Sequence, residues 1–259
     1  DALPISKKNL QENTVIRYMK VVKKITNMAL ANDWIDKNPF MNIHFHEQEV
    51  HKEFLTKEEL GILRTKVFNV PRLELVRDIF LFQCWTGLAF IDVSELKPEH
   101  LVTDNQGNVW IRKARQKTKV MCNIPLLDIP LAILDKYRGY PLCEKKGTLL
   151  PVPCNQKTNS YLKEIADFCG IKKNLTTHTG RHTFSTVVAL ANNVSLENVA
   201  KMLGHTNTKM TQRYAKVLDQ SILRDMQNVR ESFSTKNHLK IKTATQSIRT
   251  VADFLYSSY

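Results

Sequence analysis

No apolar run in this chain approaches the length of a membrane-spanning helix, and its opening residues lack the pattern of a secretory signal. A membrane partner is therefore not expected. Cysteine is sparse and unpaired: Cys84, Cys122, Cys143, Cys154 and Cys169 are scattered, odd in number and form no C-x-x-C pair. That usage predicts free thiols, a reducing compartment and no structural zinc. His44, His46 and His51 gather loosely, but without partners at ligand spacing, so no metal site is expected. Internal repeats and low-complexity tracts are missing as well. Acidic residues are in deficit, with 25 Asp+Glu against 38 Lys+Arg and a formal charge of +13. Such a balance favours a polyanionic partner, the plain alternative being a basic protein with no such partner. The 259 residues suffice for one large domain or two small ones. The first residue is Asp1 rather than Met, the pattern of a processed or shortened chain.

What is present concentrates in residues 176–216. Apolar Phe184, Val187, Val188 and Ala191 predict a helix over about Thr179–Asn192. Ser195 reads as the N-cap of a second helix burying Leu196, Val199, Ala200 and Leu203, and Gly204 ends it. A third begins near Thr208 and carries Gln212, Arg213 and Tyr214. His178 and Arg181 share a helix face, His205 follows Gly204, and Tyr214 comes nine residues later. A phenol, two imidazoles and a guanidinium suit attack on a phosphodiester: a nucleophile, proton-handling groups, and a fork for non-bridging oxygens. Singly, each has an ordinary reading: a helix cap, a dipole-stabilised C-terminal His, a half-packed Tyr.

The order His178-Thr179-Gly180-Arg181, then Leu203-Gly204-His205, then Tyr214 resembles the C-terminal signature of the tyrosine recombinase (phage integrase) family. The resemblance extends more weakly over about residues 10–220. Thr86-Gly87-Leu88-Ala89-Phe90-Ile91-Asp92 is similar to the family's first box, but Ala89 stands where the family has Arg. Within that box the resemblance is strongest to integrases of Bacteroides-type mobile elements.

In chain order, residues 13–32 predict a helix with Val15, Tyr18, Val22, Ile25 and Ala29 on one face and Arg17, Lys20, Lys23 and Lys24 on the other. Lys20, Lys23 and Lys24 are candidate phosphate contacts, or simply a solvated face. Asn38-Pro39 breaks the chain, and Thr56-x-x-Glu59 predicts a capping box. Residues 71–88 form an apolar helix. Three strands are expected at 101–102, 109–111 and 120–124, with Asp104–Asn108 as the first turn. The second turn holds Arg112, Lys113, Arg115, Lys117 and Lys119. Helices are expected at 129–137 and 159–169, with loops between, and a last amphipathic helix at 219–233. The fold class is mainly α with a small antiparallel β-sheet.

The resemblance implies a domain order. Residues 1–40 are the end of a helical, SAM-like core-binding domain, 41–53 a linker, 54–218 the catalytic domain, and 219–259 a C-terminal helix and tail that subunits exchange. It implies a site-specific recombinase that integrates or excises a mobile element through a 3′-phosphotyrosyl bond. Tyr214 is then the nucleophile, Arg181 and His205 hold the phosphoryl group, His178 assists proton transfer, and Asp92 buttresses the site. Lys117 protonates the leaving 5′ oxygen, with Lys113 and Lys119 as alternatives. Arg115, two residues before Lys117 and so on the same face of an extended backbone, is the proposed substitute for the Arg missing at Ala89, with Arg112 and Arg77 as weaker candidates. Arg112, Lys113 and Lys119 are further candidate DNA contacts. No cofactor or metal is implied. The partners implied are double-stranded DNA, a homo-tetramer on that DNA and accessory DNA-bending or excision proteins, in a bacterial cytoplasm at the nucleoid. A DNA-binding protein without catalysis and a type IB topoisomerase-like enzyme are the alternatives, the former favoured by Ala89.

Overall fold

The computed structural model describes residues 10–48, 52–215 and 226–231. The chain forms two compact units, 1–52 and 53–259. The first contains α1, Glu12–Ala31, with Ile16 buried. The apolar face expected on α1 is largely open to solvent: Tyr18 is 55% exposed and Ile25 60%. Its basic face is partly engaged within the same unit. Lys20 pairs with Glu47, and Lys23 Nζ donates to the Ile43 carbonyl at 2.7 Å. Lys24 is exposed.

The second unit opens with α2, Lys57–Thr65, capped by the expected reciprocal pair of Thr56 and Glu59. Next comes α3, Pro71–Thr86, with Pro71 in its first turn. Leu73, Val76, Ile79, Phe80, Phe82 and Cys84 are all essentially inaccessible, so most of α3 is enclosed by the core, with Arg72, Glu74 and Arg77 on its remaining side. After the short α4, Phe90–Ser94, come β1 (Leu101–Thr103), β2 (Val109–Ala114) and β3 (Met121–Pro125). They form one antiparallel sheet in the order β1-β2-β3, with Ile111 opposite Ile124 and Lys113 opposite Cys122.

Helices α5 (Asp128–Lys136) and α7 (Asn155–Phe168) pack against α3, as does α8 (Thr177–Thr183). Between them α6, Pro141–Lys146, occupies a stretch expected to be loop; six residues between Tyr140 and a left-handed Gly147 suffice for it. The helix expected over 179–192 is helical throughout but not uniform. After Thr183 it widens into π-type turns at Phe184–Ala189 and tightens into a 3-10 turn at Leu190–Asn192. Hydroxyls that bond back to the preceding turn accompany the change: Thr183 Oγ1 to the Thr179 carbonyl, Ser185 Oγ to that of Arg181. Then come α9, Leu196–Leu203, capped by Ser195, and α10, Lys209–Ala215. Phe184, Ala189, Val199 and Leu203 form a small apolar cluster on which Tyr214 rests. Of the helix expected at 219–233, residues 226–231 are helical and the rest lies outside the described residues. No described helix is long and apolar enough to cross a membrane.

Candidate active site

Three chain segments distant in sequence meet at the end of α9. Gly204 carries φ +60° and closes the helix with paired bonds, His205 N to the Ala200 carbonyl and Gly204 N to that of Lys201. This Schellman closure turns the chain so that His205 faces α8. Any Cβ at Gly204 would lie 2.7 Å from Cys122 Sγ and 3.3 Å from Arg115 Cβ, so β2 and β3 press directly on this turn. Thr118 Oγ1 donates to the Gly204 carbonyl at 3.0 Å and fastens the β2–β3 turn to it.

Arg181, on α8, is 5% exposed. Its Nη1 donates to the Gly87 carbonyl at the end of α3, and its Nη2 to the Leu203 carbonyl at 2.6 Å. Both carbonyls belong to helix ends, where partial negative charge accumulates. The same Nη2 lies 3.2 Å from His205 Nε2. The other imidazole nitrogen, Nδ1, lies 2.8 Å from Thr211 Oγ1, a fully buried hydroxyl on α10. Tyr214, one turn further along α10, is half-buried. Its ring is parallel to that of His205 at 6.5 Å and tilted against His182 at 5.3 Å. His178 is exposed on the first turn of α8, three residues before Arg181.

Arg115 stands at the end of β2, on the inward side with Ile111 and Lys113. Its Nε and Nη1 are buried and have no hydrogen-bond partner among the described residues. Burial, and then the Arg115 charge, lower the Arg181 pKa to about 10. His205 is lowered to about 4 by burial and by both guanidinium groups. Among the described residues, neither arginine forms an ion pair. Asp92, 1% exposed, acts weakly on Arg181 in the opposite direction, and its Oδ1 accepts from Gln116 N at 2.8 Å. Its Oδ2 is buried without a partner among the described residues. Two cations and a neutral imidazole thus gather with no stoichiometric counter-charge among the described residues, which is the electrostatics of an anion site. No cluster of His, Cys, Asp and Glu able to hold a metal ion occurs among the described residues.

The remaining sequence candidates separate. Lys117 is exposed on the turn, as is Lys119, which has φ +59° and donates to Gln116 Oε1 at 3.3 Å. The expected common face of Arg115 and Lys117 assumed extended backbone, but the chain turns at 116–118, closed by Lys119 N on the Arg115 carbonyl. Lys113, expected to face DNA, is 7% exposed and lies 3.9 Å from Glu95. Strand alternation directs it inward with Ile111, so it is buried rather than on the exposed surface expected of a DNA contact. Arg112 points outward and is exposed. Arg77 is occupied elsewhere, paired with Asp78 at 2.6 Å and donating to the Lys66 carbonyl. Thr211 was not singled out by sequence. Its position one turn before Tyr214 is the signal that places it on the site-facing side of α10.

Sequence comparison matches residues 53–221 to the phage integrase family and residues 3–47 to the phage integrase SAM-like domain. Tyrosine recombinase XerD of Staphylococcus saprophyticus is 42% identical over 229 residues, covering 83% of this chain and 75% of that protein. A tyrosine recombinase of Thermosipho africanus is 25% identical over 218 residues, covering 81% and 74%. In fold, the Tn1549 transposon integrase in complex with circular intermediate DNA superposes with a TM-score of 0.61 at 18% identity, covering 82% of this chain and 78% of that one.

Proposed function

This chain belongs to the phage integrase family and is a tyrosine recombinase, an enzyme of site-specific DNA recombination; from that premise we propose how its residues divide the work. Tyr214 Oη attacks a DNA phosphorus, forming a 3′-phosphotyrosyl bond and expelling a 5′ oxygen. His178 assists removal of the phenolic proton, and Lys117, exposed on the β2–β3 turn, returns a proton to the leaving oxygen. Arg181 and Arg115 hold the non-bridging oxygens, and His205 hydrogen-bonds the same group. Asp92 anchors the turn carrying Arg115 through Gln116 N. The 5′ hydroxyl of a partner strand then attacks the phosphotyrosyl bond and frees Tyr214. The phosphotyrosyl link conserves the bond energy, so the cycle draws on no nucleotide.

The observation that carries this reading is the pairing of Arg181 with Arg115. A buried guanidinium and a partly buried one, neither in an ion pair among the described residues, suit a phosphoryl group whose charge grows in the transition state. The substrate is duplex DNA of a mobile element, bound by a homo-tetramer with accessory DNA-bending proteins, in the bacterial cytoplasm. Exposed Lys24, Arg112 and Lys119 supply sequence-independent phosphate contacts.

The test is covalent capture. A pool of nicked duplexes with randomised sequence around the nick is incubated with the protein, and complexes surviving SDS are isolated and sequenced. A defined captured duplex, absent with Tyr214→Phe, is the expected result. Salt-sensitive DNA binding with no covalent product would make the chain a binder without chemistry.

A further inference from the structure

His205 faces a problem that its neighbours define. A guanidinium has donors and no acceptor. Its 3.2 Å approach to Nε2 therefore requires a lone pair on that nitrogen, and the single imidazole proton sits on Nδ1, donated to Thr211 Oγ1 at 2.8 Å. Burial and the two guanidinium charges keep the ring neutral, in agreement with this assignment. Yet a group that stabilises a phosphoryl oxygen must present a hydrogen from Nε2. The free site holds His205 in the tautomer that accepts from Arg181, and phosphate requires the tautomer that donates.

We propose that Thr211 is a positioning residue that lets His205 exchange between these two tautomers, and that it ties this exchange to docking of the helix bearing Tyr214. A hydroxyl both accepts and donates. Without phosphate, Thr211 Oγ1 accepts from Nδ1–H. When a phosphoryl oxygen enters beside Nε2, solvent carries a proton on to Nε2 and another away from Nδ1, so the ring stays neutral. Thr211 Oγ–H then rotates to donate to the Nδ1 lone pair. Neither state leaves a buried imidazole nitrogen unmet, which would cost about 1–3 kcal/mol.

The link to the nucleophile is geometric. Thr211 and Tyr214 lie three apart on α10, so they share a face. Thr211 is fully buried and reaches His205 only while α10 is docked on the Phe184–Leu203 cluster. The phenol and the hydroxyl that serves His205 thus arrive together. His205 is equipped to donate to phosphate only when the nucleophile is in place.

This rests on the recombinase reading for its catalytic consequence, but its tautomer claim does not. The first measurement is ¹⁵N-edited NMR of imidazole nitrogens in the intact protein at neutral pH, with His205 assigned by His205→Asn. The parent is expected to show protonated Nδ1 without ligand, and protonated Nε2 on adding inorganic phosphate. Protonated Nε2 in the ligand-free parent, or no response to saturating phosphate, overturns the proposal whether or not the protein cleaves DNA. The second uses Thr211→Val, equal in shape and lacking the hydroxyl, with Thr211→Ser. The expected result is cleavage of the captured nicked duplex slowed about tenfold or more in Thr211→Val, with unchanged DNA affinity, and recovery of rate and spectrum in Thr211→Ser. Equal slowing in both variants, or none in Thr211→Val, assigns Thr211 to packing alone. If the parent captures no DNA, the recombinase reading fails while the NMR result still decides the tautomer.

Discussion

Replacing Arg115 by Met should make the protein more stable and less active. Arg115 contributes two buried donors with no partner among the described residues, and its charge acts on that of Arg181. An unmet buried donor costs about 1–3 kcal/mol. The side chain is partly accessible overall, so the lower end applies, and Met retains most of the apolar stem. The expected gain is about 1 kcal/mol, or about 2–4 °C in Tm for a domain of this size. Cleavage moves oppositely: losing one preorganised phosphoryl donor costs about 2.7–4 kcal/mol, a factor of about 10²–10³. Thermal unfolding followed by circular dichroism, and single-turnover capture of the nicked duplex, read the two quantities separately. Adding Ala89→Arg to Arg115→Met returns a guanidinium beside Asp92 and should recover part of the lost rate. Met at 115 that lowers Tm and leaves cleavage unchanged would refute the argument, because Arg115 would then be a packing residue with satisfied donors.

Stability should fall in acid through His205. Its pKa is about 4 in the fold against an ordinary 6.5, so between these values the unfolded chain holds more protons than the native one. The contribution is complete above 6.5 and lost as pH falls to 4. It amounts to on the order of 1–2 kcal/mol once solvent screening of a half-buried ring is allowed for. Urea midpoints should therefore drop more between pH 7 and 4 for the parent than for His205→Asn, and equal drops would contradict the shift. Gly204→Ala combines a left-handed backbone with a Cβ 2.7 Å from Cys122 Sγ. It should cost about 2–4 kcal/mol in denaturant unfolding, with part returned by Cys122→Ala. No recovery in that double variant would place the whole cost in the backbone.

The helical part of this fold was legible because its signals are local. Thr56 with Glu59, Ser195, and Gly204 each mark a helix end by chemistry within four residues, and each does so in the structure. The apolar composition of 73–84 announces a helix surrounded by core. The candidate site could be read as a list, since His178, Arg181, His205 and Tyr214 are marked by spacing, and the structure gathers Arg181, His205 and Tyr214. Its wiring was not, because hydrogen bonds between distant segments leave no periodicity. The contact of Thr211 with His205, and that of Thr118 with the Gly204 carbonyl, are of this kind. Lys113 shows a different limit. Alternation from Ile111 already directs it inward, but a basic residue in a basic turn was assigned to the surface by its charge. On α1 the period correctly gave a helix, while burial of its apolar face needs neighbours that this unit's described residues do not supply.

In the proposed mechanism an arginine at 115 stands in for one at 89, and a single hydrogen bond supports that role. Ala89 is the N-cap of α4, and Asp92 lies in the first turn of that helix, three residues on. Asp92 Oδ1 accepts from the backbone N–H of Gln116. The residue before Gln116 is therefore held beside the first turn of α4, although 26 positions separate 89 from 115 in sequence. A second anchor acts from the other side, Thr118 on the Gly204 carbonyl. The Arg115 backbone is thus held between the first turn of α4 and the Gly204 turn, each of which follows a carbonyl that receives Arg181, at Gly87 and Leu203. The Arg115 charge launched from there acts on Arg181 and lowers its pKa. On the proposed reading catalysis constrains where the charge is delivered, and positions 89 and 115 are two backbone origins for it. Asp92→Ala should consequently act through Arg115. It removes no group that touches phosphate, yet it frees the turn and leaves Gln116 N unmet. It should slow cleavage by about as much as Arg115→Met, while adding little to the loss in the Arg115→Met background. Additive losses in that double-mutant cycle would mean that Asp92 works by another route.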